Sequence, residues 1–107
     1  MNSVPITIGS DFDDTWTRDP ELWAGFARMA IQRGHEVWCI TARAPGMMAE
    51  VHAVVAPVLG VHKILGTPHE PKADAFFTAT GRHIDIWIDD LPELVRPILI
   101  SSGGLLV

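Results

Sequence analysis

Carboxylates are concentrated in the stretch from Val4 to Thr17, where three of them fall within four residues. Asp11, Asp13 and Asp14 follow an apolar run that is typical of a buried strand, and Thr15 comes next. Like charges this close oppose ionisation unless a cation or a proton lies among them. The cluster therefore indicates either a cation site or a solvated acidic turn, and the rest of the chain must distinguish the two.

Three further groups of polar residues fall at the ends of predicted elements. Thr41 ends a second apolar run, Lys72 begins a predicted helix, and Asp89 and Asp90 directly follow another apolar run. Phosphoryl transfer through an aspartate needs these residue types. One carboxylate attacks phosphorus, a second protonates the leaving oxygen, and a hydroxyl and an ammonium hold the phosphoryl oxygens. Mg²⁺ would neutralise charge, and one or two carboxylates plus substrate suffice to bind it.

The elements that must position these residues alternate along the chain. We predict strands at 4–10, 35–41, 61–66, 83–88 and 97–100, and helices at 20–33, 45–58, 72–80 and 91–96. This order predicts an α/β fold: one Rossmann-like domain over residues 1–107, with a mostly parallel sheet of about five strands and helices on both faces. Ligands of such sheets bind beyond the carboxyl ends of the strands, where the polar groups above fall.

Apolar spacing also predicts which side chains form the core. Cys39 is expected to be a buried small hydrophobe, and Trp38 and Trp87 to lie in the core of the sheet. The first helix carries an apolar stripe at helical spacing, which we also assign to the core: Leu22, Trp23, Phe26, Ala27, Met29 and Ala30.

The polar groups carry a resemblance to a known family. The sequence DFDDT, from Asp11 to Thr15, resembles motif I of the haloacid dehalogenase-like (HAD) phosphohydrolases. Thr41 resembles motif II, Lys72 resembles motif III, and IDIWIDD, ending in Asp89 and Asp90, resembles motif IV. The resemblance spans the first to the fourth predicted strand.

The resemblance implies a role for each matched residue. Asp11 would be the nucleophile that forms an aspartyl-phosphate, and Asp13 the acid/base, whose backbone carbonyl also reaches Mg²⁺. Thr41 and Lys72 would bind the phosphoryl group. The metal site would comprise Asp11 and Asp13, completed by two further carboxylates, Asp89 and Asp90. Sequence does not decide which of these last two touches the ion directly.

Several assignments stay open. Lys63 is the other lysine of the chain, but it falls inside a predicted strand, so Lys72 is favoured as the phosphate ligand. Arg43 either binds the phosphoryl group of the substrate or is a solvated charge at a helix entry. Asp14 occupies a position where the family often has glycine. Trp16 either stacks on a substrate ring or packs within its loop.

The spacing leaves no room for an inserted cap between the first strand and the first helix, or between strands two and four. The resemblance is therefore to a minimal, capless member, with an open site. Because water exclusion strengthens the electrostatics of such sites, we expect either a large substrate or a second copy of the chain to cover it. The apolar residues 105–107 and an exposed Trp16 are the expected contacts of a homo-oligomer.

Composition bounds the partners. The net charge is −5 and no basic run is present, which argues against long nucleic acids, although a terminal phosphate remains a candidate beside a nucleotide or another phosphorylated small molecule. The five histidines lack zinc-ligand spacing. We expect no membrane span and no signal peptide, and a cytoplasmic location.

The competing functions are a receiver-like phosphoacceptor and an inactive binding module on the same fold. Receivers, however, carry their acceptor after strand three, where no acid occurs here.

Overall fold

The computed structural model describes residues 4–96. They form a small α/β domain, in which four parallel strands alternate with helices. The strands are β1 (Thr7–Ser10), β2 (Glu36–Thr41), β3 (Ile64–Gly66) and β4 (Ile86–Ile88). The helices are α1 (Pro20–Gln32), α2 (Ala49–Leu59), α3 (Lys72–Thr80) and α4 (Pro92–Val95).

The strand order in the sheet is β3-β2-β1-β4, and every pairing is parallel. Ser10 pairs with Cys39 on one side and with Ile88 on the other. Because all four strands run the same way, their carboxyl ends meet at one edge of the sheet, and β1 ends in its middle. The segments that follow β1, β2 and β4 are thereby brought together.

The predicted strand count was about five, whereas residues 4–96 contain four strands. The fifth predicted strand, 97–100, and the apolar residues 105–107 lie outside the described residues. β3 and β4 are also shorter than predicted. A helical turn occupies Val61–Lys63 before β3, and the strand pairing of β4 begins only at Ile86.

Local sequence sets the helix ends as predicted. The Asp19 side chain accepts a hydrogen bond from the backbone N–H of Leu22 (3.1 Å), and Pro20 opens α1. α3 spans the predicted residues, and Gly81, with φ +72°, ends it in the left-handed conformation that favours glycine. The second predicted helix is broken near its start, where a 3₁₀ turn at Pro45–Met47 precedes α2.

Helices cover both faces of the sheet, as predicted. On one face, Val37 and Cys39 of β2 pack against α1 and α2 through Ala27, Val51 and Val55. On the other face, Trp38 meets Phe76 of α3 edge-on, with ring centroids 5.0 Å apart. Cys39 is fully buried, as predicted.

The predicted core stripe of α1 is only partly buried. Ala27 and Ala30 face the sheet, but Leu22 and Met29 are 56% and 63% exposed. The small residues let α1 approach the sheet closely, while Met29 lines an apolar groove of about 450 Å³ beside Ile86 of β4. Within residues 4–96 that groove is uncovered, which accounts for the exposure.

The two tryptophans of the sheet are half-buried rather than fully in the core, which corrects the prediction for Trp38 and Trp87. Gly9 lies against the second of them, because a Cβ at this position would come within 3.1 Å of the Trp87 ring. The ring therefore packs directly on the backbone of β1. In residues 4–96 there is no helix with the length and apolarity that a membrane crossing requires.

Candidate active site

The first acidic group lies where β1 ends. The backbone N–H of Asp11 donates to the carbonyl of Ile88 (2.8 Å), which extends the pairing of β1 with β4 by one residue. Asp11 is 7% exposed. Its carboxylate is therefore fixed by the sheet itself, at the bottom of a cavity of about 400 Å³.

The loop after Asp11 is anchored by two buried aromatic residues. Phe12 and Trp16 are each 1% exposed. The Trp16 indole N–H donates to the Ser10 hydroxyl (2.9 Å), which in turn donates to the carbonyl of Trp38 (3.2 Å). The prediction of an exposed Trp16 was therefore wrong. The residue packs within its own loop, where the hydrogen bond satisfies its N–H, and it contributes nothing to an outer contact surface.

Asp14 adopts a left-handed conformation, with φ +61° and ψ +7°. Its backbone N–H donates to the Thr17 hydroxyl (2.9 Å). Aspartate is one of the few non-glycine residues that adopt this conformation readily. This accounts structurally for an aspartate at a position where the resembled family often has glycine.

Lys72, at the start of α3, is 1% exposed and joins two acidic groups. Its Nζ donates to Asp11 Oδ1 (2.9 Å) and to Asp89 Oδ2 (2.6 Å). Lys63 lies elsewhere: its Nζ donates to Glu36 Oε1 (2.9 Å), near the opposite edge of the sheet. Lys72 is thus the lysine that the structure brings to the acidic cluster.

Asp11, Asp89 and Asp90 form a carboxylate triad. Each offers an oxygen within 4.8 Å of the other two. Burial, followed by the hydrogen bond with the Asp90 carboxyl, raises the pKa of Asp11 to about 7, although Lys72 opposes the shift. The Asp89 side chain is 2% exposed and held by Lys72, while Asp90 lines the cavity. The triad is therefore short of positive charge.

Asp13 lies apart from that triad. Its two oxygens accept from Arg43, Oδ2 from Nε (2.9 Å) and Oδ1 from Nη2 (2.7 Å). This hydrogen bonding lowers the pKa of Asp13 below its usual value. The Asp13 carboxylate is thus not one of the triad's oxygens. The sequence-based expectation is that Asp13 reaches the metal through its backbone carbonyl, and the position of the carboxylate does not test it.

The Arg43 side chain has further partners besides Asp13, and none of them was predicted from the sequence. Nη2 also contacts Glu50 Oε1 (2.9 Å), Nη1 donates to the Met47 carbonyl (3.1 Å), and the guanidinium lies 5.1 Å from the Phe12 ring centroid. Glu50, in the first turn of α2, was not predicted to contribute. Its position seven residues after Arg43 gave only a general signal, because acids are common in first turns.

Thr41, at the end of β2, is 1% exposed. Its hydroxyl accepts from the backbone N–H of Arg43 (3.4 Å), and its carbonyl accepts from that of Thr67 (2.7 Å). Ala42 and Arg43, rather than Thr41, line the cavity over Asp11. The structure thus brings Asp11, Asp13, Arg43, Lys72, Asp89 and Asp90 to one edge of the sheet, with Thr41 beneath them.

Comparison with protein families, with curated proteins and with solved structures returned no match to this chain.

Proposed function

We propose that this chain is a Mg²⁺-dependent phosphatase, of a minimal HAD-like type, that hydrolyses a phosphomonoester through an aspartyl-phosphate. The observation that carries the proposal is the position of Asp11. Its carboxylate lies at the end of the central strand, faces an open cavity, and is surrounded by Lys72, Asp89 and Asp90. A buried carboxylate with a perturbed pKa beside a charge partner is typical of functional sites.

The carboxylate triad fits Mg²⁺. Its donors are hard carboxylate oxygens close enough to share one ion, and within residues 4–96 only one ammonium, that of Lys72, lies among the three carboxylates. Asp11, Asp89 and Asp90 would hold the ion, with Asp13 contributing its backbone carbonyl. When bound, the ion would neutralise charge on the phosphoryl oxygens.

In the first half-reaction, an Asp11 carboxylate oxygen attacks phosphorus and the bond from phosphorus to the leaving oxygen breaks. Asp13 donates a proton to that oxygen, so an alcohol departs and the phosphoryl group remains on Asp11. In the second, Asp13 accepts a proton from water as the water attacks the aspartyl-phosphate, which releases inorganic phosphate and restores Asp11. Lys72 and Arg43 would hold phosphoryl oxygens, with Thr41 supporting the strand end.

The Arg43–Asp13 pair gives the acid/base a definite starting state. While Arg43 holds it, Asp13 is ionised, whereas the first half-reaction requires its protonated form. We propose that a bound phosphoryl group draws Arg43 toward itself. This would remove the contact that lowers the pKa of Asp13 and let Asp13 take up a proton from bulk water, which it then donates to the leaving oxygen.

The decisive experiment measures phosphate release from p-nitrophenyl phosphate, nucleoside monophosphates and 3′-phosphorylated oligonucleotides, with Mg²⁺ and with EDTA. We expect activity only with Mg²⁺, and none in Asp11→Asn. The matched control is Asp85→Asn, at the opposite edge of the sheet, where an amide oxygen can still accept from Thr7 N–H. Full activity in Asp11→Asn would exclude it as the nucleophile. Stable labelling of wild type by a phosphoryl donor without turnover would favour a phosphoacceptor module instead.

A further inference from the structure

Two cavities adjoin at the carboxyl edge of the sheet. The one over Asp11 has a volume of about 400 Å³, and a second, of about 260 Å³, lies between the segment after β3 and α4. Ala42 and Leu94 line both of them. A phosphoryl group bound over Asp11 would therefore extend its leaving group along the boundary between the two cavities.

The ionisable side chains of these cavities are mostly acidic. Asp11, Asp13, Asp14 and Asp90 line the first, together with two cations, Arg43 and Lys72. In the second, Glu70 and Glu93 are accompanied by His69. All eight Lys and Arg residues of the sequence lie within residues 4–96, so the count of Lys and Arg along these cavities is complete.

Both cations, Lys72 and Arg43, already contact carboxylates, so neither is available to a second anionic group of the substrate. Lys72 already contacts two carboxylates, those of Asp11 and Asp89. Arg43 likewise contacts two, those of Asp13 and Glu50. The phosphoryl group of the substrate would draw on both cations, so any further negative charge on the leaving group would meet Glu70 and Glu93 in a second cavity that none of the described Lys or Arg residues lines.

We infer that the substrate is a small phosphomonoester whose leaving group is neutral or cationic, and that Glu70 and Glu93 select against leaving groups with a second phosphate or a carboxylate. This inference rests on the proposed function, and it narrows the substrate class. Bisphosphates, phosphorylated acids and the phosphorylated ends of polynucleotides are excluded as efficient substrates.

The expected size of the discrimination follows from Coulomb's law. One like charge at roughly 7 Å, at an effective dielectric constant between about 20 and 80, lowers binding by a factor of about 3 to 50. Several carboxylates act together here, so a preference of at least about tenfold is expected at low salt. Because Glu70 and Glu93 are exposed, the preference should shrink at high ionic strength.

The test compares glycerol 1-phosphate with 3-phosphoglycerate, which differ by a hydroxymethyl group in place of a carboxylate. In wild type we expect kcat/KM to favour the neutral compound by at least about tenfold at low salt. Calorimetric titration of Asp11→Asn with both compounds gives the same comparison for binding alone. Equal kcat/KM values, or a preference for 3-phosphoglycerate, would overturn the inference.

Charge-neutral variants assign the selectivity to residues. Glu93→Gln and Glu70→Gln should each lower the preference by about threefold or more. Asp85→Asn removes the same charge from the opposite edge of the sheet and should leave the preference unchanged. An equal fall in the preference in all three variants would show that only the net charge of the protein matters. It would refute the roles assigned to Glu70 and Glu93. Absence of Mg²⁺-dependent release from either compound and from p-nitrophenyl phosphate would instead refute the proposed function. Equal rates of release from glycerol 1-phosphate and 3-phosphoglycerate would refute only the inferred selectivity, not the proposed function.

Discussion

Lys72→Met offers the sharpest test of the electrostatics of the site. The substitution keeps the length and apolar body of the side chain but removes the ammonium that lies between Asp11 and Asp89. Both carboxylates then remain in a buried environment without their cation. Removing one partner of a buried ion pair costs about 3–5 kcal/mol, because the remaining charge is left uncompensated.

The expected fall in Tm follows from the chain length of 107 residues. We take about 3 kcal/mol, the lower end of that range, because Asp11, with its pKa already raised to about 7, can relieve part of the cost by taking up a proton. An unfolding entropy of about 2.1 cal/mol/K per residue converts this into a fall in Tm of about 13 °C. The variant should still fold, since typical domains are stable by about 5–15 kcal/mol.

The loss should depend on pH. In wild type the pKa of Asp11 is already raised to about 7, above its ordinary 3.8, and Lys72 opposes that shift. Without Lys72 the pKa rises further, so the folded state binds more protons than the unfolded state between about pH 4 and 7 or above. Stability of the variant therefore increases as the pH falls from 8 to 5. At pH 8, Mg²⁺ should restore part of the stability that is lost in Lys72→Met, because the ion binds the folded state.

The assay is thermal unfolding of wild type, Lys72→Met and Lys63→Met at pH 5 and pH 8, with Mg²⁺ and with EDTA. Lys63 is the matched control, because it pairs with Glu36 and is 37% exposed, so its loss should cost less than about 1 kcal/mol. A Lys72→Met variant whose Tm loss is the same at both pH values and insensitive to Mg²⁺ would refute the reasoning.

Three further outcomes are expected. Asp13→Asn should slow hydrolysis of an alkyl phosphate by about 10²–10⁴-fold but that of p-nitrophenyl phosphate much less, in steady-state assays; equal losses would refute its role as the acid. Glu36, whose pKa is lowered to about 2 by hydrogen bonding from Arg82 and from Lys63, should contribute stability above pH 4.5 that is lost as the pH falls toward 2. The loss should be about 1 kcal/mol, because Glu36 and its partners are partly exposed. In acid unfolding, Glu36→Gln should not show this loss of stability. Millimolar Mg²⁺ should raise the Tm of wild type but not that of a variant with Asp89 and Asp90 both changed to Asn; an equal rise in both would move the metal away from these residues.

Features set by local chemistry were predictable from the sequence. The N-cap at Asp19 and the left-handed Gly81 depend on a few neighbouring residues, so the ends of α1 and α3 could be located. The grouping of Asp11, Lys72 and Asp89 followed from topology, because the carboxyl ends of parallel strands share an edge.

Features that depend on long-range packing were not predictable. Trp16 has no local pattern that marks it as buried, since its anchor is a hydrogen bond to Ser10 on the preceding strand. The exposure of Met29 depends on what covers β4, which the spacing of α1 does not encode. Glu50 reaches Arg43 only because a 3₁₀ turn sets the start of α2. The family resemblance and the fifth strand stay predictions.

A single property, the shortage of positive charge at the carboxyl edge, connects the main features of the site. Two cations, Arg43 and Lys72, are each shared between two carboxylates, and Asp90 is left to share with Asp11. Such a site can be balanced by a proton or by a divalent ion, and these alternatives exclude one another at the same oxygens. Mg²⁺ should therefore bind more weakly as the pH falls below about 7. The same shortage disfavours a second anionic group on the substrate, so metal affinity and substrate selectivity should both weaken at high ionic strength.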